Sequence, residues 1–380
     1  MTFKVKTKGQ IEGEELLVPK LRFKEFNSEY QKYKIGDTLK VKSGKDQKSI
    51  ECINGTYPIL GTGGQIGTTN SFLYDKPSVL IGRKGTINKP QYMTTPFWTV
   101  DTLFYTDIKE EFNTKYIFYA FQNINWKKYD ESTGVPSLSC KTIEEILYYI
   151  PNKDEQDKIS TFITLLDKKI ELQQRKIETL KIYKKGLIQK YFESKNGEKI
   201  KISEILEEVI NKTTENNQYD VISSTKDGLF LQSEYFNRSI ASDNNIGYKI
   251  LKKNQIVLSP QNLWMGNINY NNKYEIGMVS PSYKIFNINK NFDKDYISNL
   301  LKTNKAIYYY TINSEQGASI VRRNLNMESF YEINFVIPDI EEQNKKGKII
   351  NGIAQKIEKE EKKYQKLDKF KKGLLQKMFI

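Results

Sequence analysis

The 380-residue sequence contains no histidine. The usual general base near neutral pH and the commonest zinc ligand are therefore both missing. A Ser–His–Asp site is impossible, and a zinc site would have to be built without imidazole. Cysteine is almost as scarce: Cys52 and Cys140 stand alone, forming neither a disulfide framework nor a metal-binding spacing. No run approaches the roughly 18 apolar residues of a membrane span. The opening MTFKVKTKGQ lacks the apolar core of a signal peptide. A cytoplasmic protein without a membrane partner is expected. What the chain has in excess is positive charge, 60 Lys and Arg against 46 Asp and Glu, net +14. That balance makes nucleic acid the first candidate partner, although a Lys-, Asn- and Ile-rich composition alone raises the pI. The length allows two or three domains, and 25 Tyr with 19 Phe favour strand-containing cores.

The dominant pattern is a repeat. Pro151 opens PNKDEQDKI, a long charged stretch follows, and YKKGLIQKYF ends at Phe192. The same plan recurs 187 positions later, from Pro338 through PDIEEQNKK to FKKGLLQKMF at Phe379. Laid together without a gap, 17 of 43 positions are identical. In the first copy Ile163, Leu166, Ile170, Ile177, Leu180 and Leu187 keep an alternating three–four spacing; Ile350, Ile353, Ile357, Tyr364, Leu367 and Leu374 keep it in the second. This is a coiled-coil seam, with Gln173 and Lys184 as polar members. Each stretch starts after a proline with acidic residues and ends in lysines, as a helix dipole favours. About 40 residues at 1.5 Å each make a rod of roughly 60 Å. A helix so polar does not fold alone, so the two copies are expected to pack together. Gly186 and Gly373 recur at equivalent places, which points to close helix approach or to a shared fray point.

The rest of the chain repeats more loosely. Residues 1–28 form a basic leader with VPKLRFKEF at Val18–Phe26, read as a tail docking in one extended piece. Two globular regions follow, residues 29–150 and 196–337, each preceding a long helix, 151–195 and 338–380. Both open with one short helix, KIGDTL at 34–39 and KISEIL at 201–206. Then SVLIGRKGTI (78–87) matches QIVLSPQNLWMGNI (255–268) as buried strand, polar turn and second strand. Phe112, Tyr116 and Ile117 match Phe292, Tyr296 and Ile297 at the start of a helix. The heads share order but few residues, whereas the helices are close copies. Similar rods imply one repeated mechanical role; differently surfaced heads imply two recognition tasks.

This order of leader PKLRF, head, PxxxEQ-helix-KKGLxQK, second head and second helix resembles the specificity subunit of type I restriction–modification systems over essentially the whole chain. The resemblance implies an α+β protein: two similar α/β target-recognition domains separated by two long antiparallel coiled-coil helices, with a pseudo-twofold internal repeat. It implies a non-catalytic subunit that reads a bipartite, asymmetric site on double-stranded DNA and docks two methyltransferase subunits on its helical spacer. Motor–nuclease restriction subunits join in the restricting complex. It implies no cofactor on this chain; S-adenosylmethionine, ATP and Mg belong to partner subunits. The rod independently allows heads roughly 35–50 Å apart, about 10–15 base pairs.

With that reading, the candidate DNA contacts in the first head are the turn Thr62, Gly63, Gly64 and Gln65, the turn Arg83 and Lys84, and the loop Ser132 and Thr133. In the second they are Ser224, Thr225 and Lys226, then Gln261 and Asn262, then Gln316, Arg322 and Arg323. Arg suits bidentate contact with guanine and Gln with adenine; Lys and Thr more often hold phosphate. The competing reading of each is an ordinary solvated turn. A methyltransferase is excluded: Gly61-Thr62-Gly63-Gly64-Gln65-Ile66-Gly67 has Ile66 where a third glycine belongs, and no Asp/Asn-Pro-Pro-aromatic segment exists. A nuclease built on Pro338-Asp339 and Glu360-Glu361-Lys362 would put its acid and lysine on the rod. The remaining alternative is a coiled-coil scaffold joining two ligand-binding domains without sequence-specific DNA recognition.

Overall fold

A computed structural model describes residues 3–5, 18–193, 196–235, 244–316 and 323–380. The chain divides into two units, one of residues 1–174 and 362–380, the other of residues 175–361. Each unit contains a head, the opening stretch of one long helix and the closing stretch of the other.

In the first unit a four-stranded antiparallel sheet runs in the order Leu39–Lys42, Leu103–Ile108, Ser78–Gly82, Gln91–Met93. The uninterrupted apolar run SVLIG is buried at every position, as a strand covered on both faces requires. Beside it, Gly64–Thr69, Tyr57–Gly61 and Trp98–Thr99 form a three-stranded sheet. Gln31–Lys34 pairs with Leu147–Ile150 and closes the head at its base. In the leader, Phe3–Val5 pairs with Leu21–Phe23.

The second unit repeats the four-stranded order with Leu206–Val209, Lys284–Ile288, Gln255–Leu258 and Ile268–Tyr270. Its base is Glu198–Lys201 paired with Asn334–Ile337. The short helices Ile35–Thr38 and Ile202–Ile205 are equivalent, and so are the head helices Thr114–Asn123 and Lys294–Leu300. Two differences stand out. After the buried strand of the first head, residues 83–90 form turns and the next strand begins only at Gln91, later than GRKGTI implied. The second head adds a helix, Asn304–Ile312, and a hairpin, Ser314–Gln316 with Arg323–Leu325.

The long helices are Lys153–Phe192 and Ile340–Met378. Asn152 and Asp339 cap them, each side-chain oxygen accepting an N–H three residues on, at 3.0 and 2.8 Å. In the first unit the opening of the central helix meets the close of the C-terminal one: Asp167 pairs with Lys371 at 2.7 Å, and Ile163, Leu166, Leu374 and Met378 share one core with the head. In the second unit the roles exchange. Lys176 meets Glu360 at 3.0 Å, Lys181 meets Glu361 at 2.6 Å, and Ile350 and Phe192 join the head core. Pairing of opening with close makes the helices antiparallel. Of the seam positions, Ile163, Leu166, Ile177, Ile350, Ile357 and Leu374 are buried, while Ile170, Leu180, Leu187, Ile353, Tyr364 and Leu367 are half-buried. A Cβ on Gly186 or Gly373 would meet nothing within 4 Å, so close approach is not what keeps these glycines.

Candidate nucleic-acid interface

The candidate loops of the first head converge. The Tyr57–Gly61 and Gly64–Thr69 strands turn at Thr62 and Gly63, with Gly64 at φ 115°, a conformation that favours glycine. Gln91 anchors this turn from the neighbouring sheet, its Nε2 donating to Gly61 O at 2.9 Å. Thr62 Oγ1 lies 3.9 Å from where a Cβ on Gly85 would stand, so the hairpin tip borders the Arg83–Lys84 turn. That turn is stitched to the third loop: Gly85 N–H donates to Pro136 O at 2.8 Å, and Leu138 N–H to Arg83 O at 2.9 Å. The Asp130 carboxylate organises the loop by accepting N–H groups from Ser137 and Ser132 at 2.9 and 3.0 Å. These bonds, Ser137 foremost, hold it below the usual carboxylate range. Arg83, Lys84, Gln65, Gly63 and Thr133 are exposed; Thr62, Gly64 and Ser132 are half-buried. Between the turn and the loop lies a polar cleft of about 590 Å³ bordered by Arg83, Lys84, Asp101, Glu131 and Ser139.

In the second head the equivalent elements also meet, but several predicted contacts take other roles. Ser224 is only 4% exposed. Its hydroxyl donates to Asn267 Oδ1 at 2.7 Å and accepts from Asn269 Nδ2 at 2.8 Å. It fixes the hairpin to the sheet and is not offered to a ligand. Asn269 Nδ2 also donates to Thr225 O at 2.8 Å, and Lys226 stands exposed at the tip. Arg323 is likewise spent internally: Nε donates to Ser314 Oγ at 2.9 Å and Nη2 to Ser314 O at 2.6 Å. A guanidinium so engaged anchors the hairpin and cannot form a two-pronged contact with guanine. The backbone N–H of Arg323 donates to Gln261 O at 3.2 Å, which joins the Gln261–Asn262 turn to the hairpin carrying Gln316. Gln261 and Gln316 are exposed and Asn262 is half-buried. Arg322 lies outside the described residues.

Sequence reasoning missed several residues that build these surfaces. Asp130 precedes Ser132 in an Asx pattern that was readable. Asn267, just before the Ile268–Tyr270 strand, and Asn269 within it stand two apart, hence on one face. Gln91 and Lys302 gave no signal. Lys302 donates to Asn269 Oδ1 at 2.6 Å. Burial holds it below the ordinary lysine range, Lys184 adds to that, and Asp227 opposes it. Lys184, a polar seam member, is also held low by burial. Lys302 thus reaches the hairpin through Asn269, which also holds Thr225.

The heads are locked to the helices by the repeat itself. Gln156 Oε1 accepts the N–H of Asn113, cap of the first head helix, at 2.9 Å, and Gln156 Nε2 donates to Pro151 O at 3.0 Å. Gln343 does the same for Asp293 at 3.0 Å and Pro338 at 2.8 Å. Phe379 stacks on Tyr116 at 5.2 Å and Phe192 packs on Tyr296 at 4.8 Å.

Comparison with known proteins agrees with this architecture. Residues 27–182 match a family model described as the type I restriction modification DNA specificity domain. The crystal structure of the type I restriction–modification S subunit from M. genitalium aligns with a TM-score of 0.66 at 17% identity, covering 96% of this chain and 99% of that one. A chain from a structure described as the basis of complex assembly and conformational transition of the type I R-M system aligns at 0.52 and 8% identity, covering 92% and 97%. No curated protein sequence matches. Over nearly its whole length the chain shares the fold of the S-subunit structure, and its first head with the opening of the central helix resembles the specificity-domain family.

Proposed function

We propose that this chain is the non-catalytic subunit that sets the DNA target of a type I methyltransferase, reading a bipartite, asymmetric site with one head on each half. The observation carrying this reading is the pairing of equivalent turn-and-loop clusters that carry different side chains. Arg83 and Lys84 with Thr133 serve the first head; Gln261 and Asn262 with Gln316 serve the second. One framework with two surfaces suits two unlike half-sites separated by unread base pairs.

Two methyltransferase subunits dock on the helices in this reading. Its support is the duplicated surface: Tyr183 and Phe370, 187 positions apart and each preceding Lys-Lys-Gly-Leu, are 57% and 53% exposed. Large exposed aromatics kept at equivalent places suit two copies of one partner. S-adenosylmethionine is carried by those partners, and ATP and Mg by a restriction subunit where one is present. The complex works in the cytoplasm.

Reconstitution with the neighbouring methyltransferase subunit, followed by methylome sequencing, tests the proposal. One bipartite adenine-methylated motif is expected. Unchanged methylation from a folded complex would refute it. Exchanging residues 30–150 for another first head is expected to change one half of the motif and leave the other intact.

A further inference from the structure

The 187-residue repeat gives every residue at the opening of the central helix a counterpart at the opening of the C-terminal helix. The first set is covered by the leader. Arg22 clamps Glu155 through Nε and Nη2 at 2.8 and 2.6 Å. Phe3 and Phe23 both meet Phe162 edge-on, with ring centroids 5.6 and 5.7 Å away. Lys158 pairs with Glu25 and sits 5.1 Å from the centre of the Phe23 ring.

The counterparts are Glu342 for Glu155, Ile349 for Phe162 and Lys345 for Lys158. With Tyr191, Glu341 and Lys346 they line an open groove of about 470 Å³ in the second unit. Ile349 is 37% exposed and the Glu342 side chain 42%. One replacement explains how this groove stands without a leader. Lys346, where the first unit has Ile159, pairs with Glu342 at 2.7 Å and lies 5.6 Å over the Tyr191 ring. The acid is thereby kept in place at the rim while the apolar floor stays open.

We propose that this groove docks an extended segment of a partner subunit in which a basic residue directly precedes an aromatic one, as Arg22 precedes Phe23 in the leader. The proposal rests on the reading that the chain assembles with partner subunits. Charge complementarity favours such an occupant: Asp339, Glu341 and Glu342 outnumber Lys345 and Lys346 around the groove, and Ile349 with Tyr191 accepts a ring. The equivalent residues of the first unit already hold this chemistry. The leader itself is engaged, with Arg22 and Glu155 exposed by only 4% and 0%, so neither this copy's leader nor another's leaves without baring a buried carboxylate.

The probe is a fluorescein-labelled peptide of residues 18–28, titrated by anisotropy against the full chain. One saturable site is expected, weakened at least tenfold by Ile349→Asp in the protein and by Arg22→Glu in the peptide. Absence of saturation overturns the proposal. Equal binding to the Ile349→Asp protein also overturns it, since the peptide would then be displacing the leader from Phe162. A concentration-dependent dimer that Ile349→Asp abolishes would make the occupant a second copy and overturn it as well. The assay contains no methyltransferase, so its failure beside a successful reconstitution indicts the groove alone.

Discussion

Arg22 shows what a single residue of the leader contributes. It neutralises Glu155, a fully buried carboxylate at the first turn of the central helix. Burial disfavours its charge, but the hydrogen bond and the field of Glu155 outweigh that and raise its pKa above the ordinary arginine value. Removing one partner of a buried pair leaves the other charged without compensation, at about 3–5 kcal/mol. Arg22→Ala is therefore expected to lower the stability of the first unit by about that much in urea, and hydrogen exchange should show residues 18–28 released. The Arg22→Met, Glu155→Met double variant should recover most of the loss. Gly186 and Gly373 act in the opposite direction. With open space where a Cβ would stand, Gly186→Ala and Gly373→Ala should each stabilise the free chain by about 0.5–1 kcal/mol in thermal denaturation. Gly186 lies one turn from Tyr183, and Gly373 one turn from Phe370. If partners dock there, the same substitutions should weaken assembly with methyltransferase, which titration calorimetry would read as a raised Kd.

At the scale of elements, Gln156 and Gln343 join two helices that sequence alone keeps apart. Each accepts the N–H of a head-helix cap and donates to the carbonyl of the proline that opens a long helix. Both are nearly fully buried, so truncation leaves polar groups without partners, at about 1–3 kcal/mol each. Gln156→Ala is expected to speed exchange at residues 113–117 and Gln343→Ala at residues 293–297, each leaving the other head unchanged. The repeat made these glutamines conspicuous, but their partners lie 43 and 50 residues away in sequence. The helices were legible because a seven-residue apolar rhythm leaves few alternatives, and SVLIG and QIVL because unbroken apolar runs must be covered. The interface was legible only as a set of turns. Whether Ser224 faces solvent depends on Asn267 and Asn269 packing over it from 43 and 45 residues away, and turn chemistry carries no such information. Arg323 failed for the same reason: a guanidinium beside carbonyls at a helix end bonds those first.

At the scale of the molecule, the unit boundaries fall after Gln174 and after Glu361, which are themselves repeat equivalents. Under the proposed function the helical pair between the heads sets the number of unread base pairs, and this can be altered without touching either reading surface. Inserting seven residues of matching heptad pattern at both boundaries keeps every seam position in register. It lengthens the pair by about 10 Å, or about three base pairs of B-DNA. The methylated motif should keep both half-sites while the gap between them grows by about three positions. A four-residue insertion in one helix alone should instead throw the seam out of register and reduce the yield of folded complex. Methylome sequencing of cells carrying each variant with its methyltransferase reads both outcomes. An unchanged gap in the seven-residue variant would mean that something other than these helices measures the DNA.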